Sequence, residues 1–159
     1  MNIIEMTKSK FAPLINKQIF EIVDSDIHSM YETVTLAGAN TGFTFHKDSR
    51  ENYTYAVFFI KNNGAIPSML SESKRVNINF YLEVILDCNV LIEELQALAS
   101  REQDFIALVY EIVSANLDKF TKPDIKAFEL AQKRQQAFFI KSKAQFEQSI
   151  KDELNKAKP

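Results

Sequence analysis

Apolar and polar residues alternate along this chain with two different periods, and the switch between them sets out the elements. From Arg75 to Asp87, Val76, Ile78, Phe80, Leu82, Val84 and Leu86 occupy every second position, with Asn77, Asn79, Tyr81, Glu83 and Asp87 between them. Side chains on a strand alternate faces, so this spacing predicts one long strand of about 40 Å with a buried face and a wet face. Between Ala12 and Tyr31 the apolar residues Leu14, Ile15, Ile19, Phe20, Ile22, Val23, Ile27 and Met30 follow a three-and-four spacing. That predicts an amphipathic helix, with Pro13 tolerated in its first turn and Asp24-Ser25-Asp26 as a point where it can split. Thr33–Ala37 and Phe43–His46 are short strand candidates around a Gly38–Gly42 turn. Tyr53–Ile60 is rich in aromatic and β-branched residues and predicts a more central strand. Asn63-Gly64 is a favoured tight-turn pair. Ile66-Pro67 makes Ala65–Lys74 a loop or edge segment leading to the long strand.

Beyond Asp87 the period becomes helical. Asn89 is placed to cap a helix that turns Leu91, Ile92, Leu95, Leu98 and Ala99 to one side. Ser100 to Gln103 has the form of a capping box, opening or continuing a helix through Phe105, Ile106, Val109, Ile112, Val113, Leu117 and Phe120. Lys122-Pro123 interrupts the pattern, because the residue before proline avoids the helical region. Asp124 then opens a last helix that runs to about Lys156 and carries Phe128, Phe138, Phe139, Phe146, Ile150 and Leu154. From Phe139 the steps are seven, four and four, which keep one stripe to the end. The predicted fold is α+β: a mostly antiparallel sheet of about three to five strands, an N-terminal helix, helices on one face and a long C-terminal helix. The chain divides into an α+β body over residues 1–122 and a helical extension over residues 123–159.

Charge sharpens that division. Residues 121–159 hold nine Lys/Arg and five Asp/Glu, a net of +4; residues 1–120 hold ten and sixteen, a net of −6. The whole chain of 159 residues is close to neutral at −2, which disfavours nucleic acid as a partner. The last helix mixes Lys126, Lys133, Arg134, Lys141, Lys143 and Lys151 with Glu129, Glu147, Asp152 and Glu153, the charge pattern of an ordinary solvated face. The N-terminal residues lack the charged leader and apolar run of a signal peptide, and no apolar run approaches the length of a membrane span. One cysteine, Cys88, excludes an internal disulfide and suits a reducing compartment. The expected location is cytoplasmic.

Candidate chemistry is sparse. His28 and His46 are the only imidazoles, and neither stands in a metal-ligand frame, so no metal or cofactor is expected. Glu83 and Asp87 would lie roughly 13 Å apart on one strand face, too far for a paired-carboxylate hydrolase. Cys88 has no flanking nucleophile signature, and the three glycines match no phosphate-binding spacing.

These features point to a non-catalytic structural or interaction protein that works by homo-oligomerising or by docking on a partner protein. Phe138, Phe139, Phe146, Ile150 and Leu154 are the contact residues, with Lys141 and Lys151 at the rim. The order of helix, strands, long strand and helix over roughly Ala12–Phe120, with the Asn77–Asp87 strand, resembles small phage connector and tail-completion proteins. That resemblance implies a sheet-plus-helix unit forming rings by side-by-side contacts and, for a chain of phage origin, a virion-associated location; it leaves the C-terminal helix unmatched. Two other classes compete. One is a small-ligand binder or enzyme with a pocket on the sheet lined by Tyr53, Tyr55, Tyr81, Glu83 and His46. The other is an inhibitor of a nucleic-acid enzyme that uses the acidic body as a decoy.

Overall fold

The computed structural model describes residues 1–68 and 74–158. Among them five strands, β1 (Glu21–Ile27), β2 (Tyr31–Ala37), β3 (Thr41–Asp48), β4 (Tyr53–Ile60) and β5 (Arg75–Asn77), pair antiparallel in chain order. The β3–β4 ladder runs from Thr41 opposite Ile60 to Asp48 opposite Tyr53. Alternation along the strands sorts the sheet into two faces. Val34, Leu36, Phe43, Phe45, Ala56, Phe58 and Val76 point into the core. Thr35, Thr44, His46 and Tyr55 lie on the opposite face, where the Thr35 and Thr44 hydroxyls meet across the strands at 3.1 Å.

Seven helices accompany the described sheet: α1 (Ile3–Lys10), α2 (Ala12–Asn16), α3 (Ile78–Leu86), α4 (Asn89–Ala97), α5 (Glu102–Ala115), α6 (Leu117–Thr121) and α7 (Ile125–Lys156). They supply Ile3, Leu14, Ile78, Tyr81, Leu82, Leu95, Ile106, Val109, Val113, Phe120 and Phe128 to the same core, so the helical layer covers one face. The fold is α+β, with an N-terminal helix, an antiparallel sheet and a long C-terminal helix. Phe58 lies at the centre, within 6 Å of the rings of Phe43, Tyr81, Phe120 and Phe128. The Thr41 hydroxyl donates to the Phe120 carbonyl and ties α6 to the sheet.

The long strand over Arg75–Asp87 is not formed. Three residues pair as β5, and the remainder is α3, with Asn77 at its N-cap accepting from the Asn79 N–H at 3.0 Å. Ile78, Tyr81 and Leu82 are buried, while Phe80, Val84, Ile85 and Leu86 pack partly against the core. A helix enclosed on several sides is apolar nearly all round, so a period of two can be picked out of it as easily as 3.6. The likeness in layout to phage connector proteins thereby loses the strand it rested on.

The helix expected over Ala12–Tyr31 is also corrected. The N-terminal helix is α1, closed by a reciprocal capping box in which Asn2 accepts from the Glu5 N–H and Glu5 accepts from the Asn2 N–H. Pro13 stands in the first turn of the five-residue α2, which ends at Asn16 with Lys17 as its C-cap; Gln18 then turns the chain with φ 59° into β1. Two expected caps fail as well. Cys88, not Asn89, is the N-cap of α4, and α5 begins at Glu102 behind Arg101, with no side-chain cap bond at either N-cap. The Asn63-Gly64 turn is present, both residues having positive φ (51° and 79°) between the bridged Asn62 and Ala65. Residues 69–73 of the expected Ala65–Lys74 loop lie outside the described residues.

Candidate interaction surface

After the Lys122-Pro123 break, the Asp124 side chain caps α7 by accepting from the Ala127 N–H at 3.1 Å. The first part of the helix belongs to the body. Phe128 and Ala131 are buried, and the Gln135 side chain accepts from the Asn77 N–H at 2.7 Å. Arg134 pairs with Glu83 of α3 at 2.7 Å, and the Phe138 ring reaches Phe80 at 5.7 Å. The packed body thus extends past residue 122 into α7, and the bare part of the extension begins near Gln136.

Eleven residues, about three helical turns, separate Phe128 from Phe139, so both lie on one face. The face that is core at Phe128 is solvent at Phe139 (57% exposed), Phe146 (66%), Ile150 (45%) and Leu154 (61%). Ile140, which the stripe reading omits, is bare at the flank, and Phe138 is about half exposed despite its contact with Phe80. Lys141 and Lys151 are exposed, Lys151 at the flank with Ile140 and Lys141 on the side of the helix away from Phe139 and Phe146. The described polar contacts beyond Phe138 stay within the helix: Gln148 to Asp152, Ser149 to the Gln145 carbonyl, and Lys156 to Glu153. At 1.5 Å per residue the unsupported segment is about 30 Å long.

The residues of the pocket alternative do not form one site. His46 stacks on Tyr55 at 4.7 Å, and Tyr53 lies 6.1 Å from Tyr55, all on the sheet face away from the core. Tyr81 is on the other side, stacked on Phe58 at 4.5 Å, with its hydroxyl donating to the Lys119 carbonyl. Burial pushes the Tyr81 phenol up to about 12. Glu83 is on the outer surface of α3, paired with Arg134. His28 lies in the β1–β2 turn, stacked on Tyr31 at 5.0 Å, and Cys88 is half-buried where α4 begins. Among the described residues no group of three or more His, Cys, Asp or Glu is placed to hold a metal ion, and no helix is long and apolar enough to cross a membrane.

His46 is nevertheless electrostatically unusual. Burial lowers its pKa to about 4, and the Arg75 cation adds to the effect. Arg75 itself is buried, donating to the Pro67 and Ser68 carbonyls and lying over the Phe59 ring. The unfolded chain takes up a proton at His46 near 6.5 while the folded chain resists until about 4, so stability falls as pH drops through that window. Between pH 6.5 and about pH 5 this one group should remove about 2 kcal/mol. Urea unfolding across that range should show a shallower loss for His46→Gln; parallel slopes for the two proteins would refute the assignment.

One groove was not foreseen from the sequence. It encloses about 640 Å³ between α3, α6 and the start of α7, with Val84, Ile85 and Leu130 as apolar lining and Lys119, Lys122 and Lys126 among its charged residues. Lys119 already donates to the Ile85 carbonyl at the end of α3. Comparison with known proteins finds no matching family model, no matching curated protein and no matching solved structure.

Proposed function

We propose that this protein is a non-catalytic assembly component and that the outer part of α7 holds copies of the chain together. The observation that supports this is the continuity of one helical face: it is buried at Phe128 and bare from Phe139 to Leu154. Taking 150–250 Å² per aromatic side chain, the exposed fractions of Phe138, Phe139, Ile140, Phe146, Ile150 and Leu154 come to roughly 600 Å². That reaches the upper end of the largest apolar patch on a typical monomer, about 300–600 Å². It also approaches the roughly 800 Å² per partner of a stable interface. Lys151 at its flank and Lys141 on the far side of the helix keep this segment soluble before contact and add positive charge to it.

A chain stopped after Gln136 tests this without removing Phe128, Ala131 or Gln135 from the body. It should stay folded, with a thermal midpoint close to that of the full chain measured below its assembly concentration, and it should remain a monomer. A truncated chain that assembles as the full chain does would remove α7 from the interface.

A further inference from the structure

A second unpartnered surface lies on the same chain. β1 is the outer strand of the sheet, and six of its seven residues are exposed, Ile22 alone being half-buried. Helical cover reaches the neighbouring strand, where α1 packs on β2. Val23, Ile27 and Met30 are therefore bare along this edge and its turn, each 40% exposed or more. The edge is acidic: β1 carries Glu21, Asp24 and Asp26 and neither Lys nor Arg, while Glu32 on β2 is paired with Lys47 at 3.9 Å. Asp24 and Asp26 are exposed.

From this we infer that the β1 edge receives the outer part of α7 from a second copy. The inference rests on the assembly reading given above and adds the surface that α7 meets. Charge carries it: residues 136–158 hold five lysines against three carboxylates, facing three carboxylates without a cation on β1. Length agrees, since seven strand residues and the Phe139–Leu154 stretch of helix each span about 20 Å. A strand is the poorer occupant. The ladder between β1 and β2 slips between Ile22 and Asp24, and a bulge with carboxylates on an edge opposes the addition of another strand. A helix needs no such ladder. Because donor and acceptor are different surfaces, the contact is head-to-tail and builds a ring or a filament.

Two full-length variants test it. One, D24K/D26K, damages the acceptor and keeps α7; the other, F146Q/I150Q, damages α7 and keeps the acceptor. Each alone should be monomeric by light scattering, and mixing them should restore a 1:1 complex that does not grow with concentration. The milder pair D24N/D26N should weaken assembly by about tenfold, and added salt should weaken the wild-type assembly. If D24K/D26K assembles like the wild type and recruits no F146Q/I150Q chain, α7 pairs with something other than β1; the inference fails and the assembly reading stands. Two monomeric variants that stay apart when mixed also overturn it. A wild-type chain that is itself monomeric sinks both.

Discussion

Replacing Phe146 and Ile150 together by Gln in the full chain should leave a folded monomer where the wild type assembles. Both side chains point out from α7 beyond the last contact with the body, so no intramolecular packing is lost with them. Gln is a good helix former, so the substitution removes apolar area without melting the helix that displays it. Burying a large apolar side chain is worth about 1.5–3 kcal/mol. Losing two per contact should weaken association by at least about 100-fold. Stability of the isolated chain should change by no more than about 0.5 kcal/mol, the usual range for surface substitutions. Light scattering gives the first quantity and urea unfolding below the assembly concentration gives the second. If the variant is destabilised by several kcal/mol, those side chains serve the subunit's own core and the assignment is wrong.

The opposite behaviour is expected at Phe58. Phe58→Ala should cost about 3–5 kcal/mol, because the cavity would open where four other rings converge from β3, α3, α6 and α7. Much of the 5–15 kcal/mol that holds a typical domain would go, and the unfolding midpoint in urea would fall accordingly. Since Phe128 is one of those rings, the same variant should also loosen the root of α7. Faster amide exchange around Ala127–Ala131 would show this. A loss below about 1 kcal/mol would mean that the core does not converge on Phe58.

These two residues also mark what the chain discloses by its pattern. Phe58 belongs to β4, which is legible because its run of aromatic and β-branched residues suits a central strand; β2 and β3 are legible from short stretches of alternation. The Phe139–Leu154 stripe is legible because steps of seven, four and four fit only a helix face. The Asp124 cap and the Asn63-Gly64 turn carry their own local chemistry. Where the chain misleads, a neighbour has overridden local preference. Ile15, Ile19, Phe20, Ile22, Val23 and Ile27 keep a helical spacing straight across the reversal at Gln18. That reversal uses a positive φ without the Gly or Asn that would announce it. In α3 the enclosure by sheet and α7 demands apolar residues on almost every side, which erases the period that separates helix from strand. Asn77, capping α3 and held by Gln135 from α7, is the residue that could have signalled a helix start there.

The proposed pocket residues divide for a topological reason. Tyr53, Tyr55 and His46 share a face because they sit at matching parity on β3 and β4. Tyr81 would have joined them only as part of a strand; as a helical residue it enters the core from the other side and stacks on Phe58.

Sedimentation equilibrium of the unmodified chain over a wide range of concentration tests the central claim most directly. A bare α7 ridge that serves as a contact surface predicts a mass above the 18.3 kDa of one chain, rising with concentration. A mass that stays at one chain throughout, up to the highest soluble concentration, would contradict it.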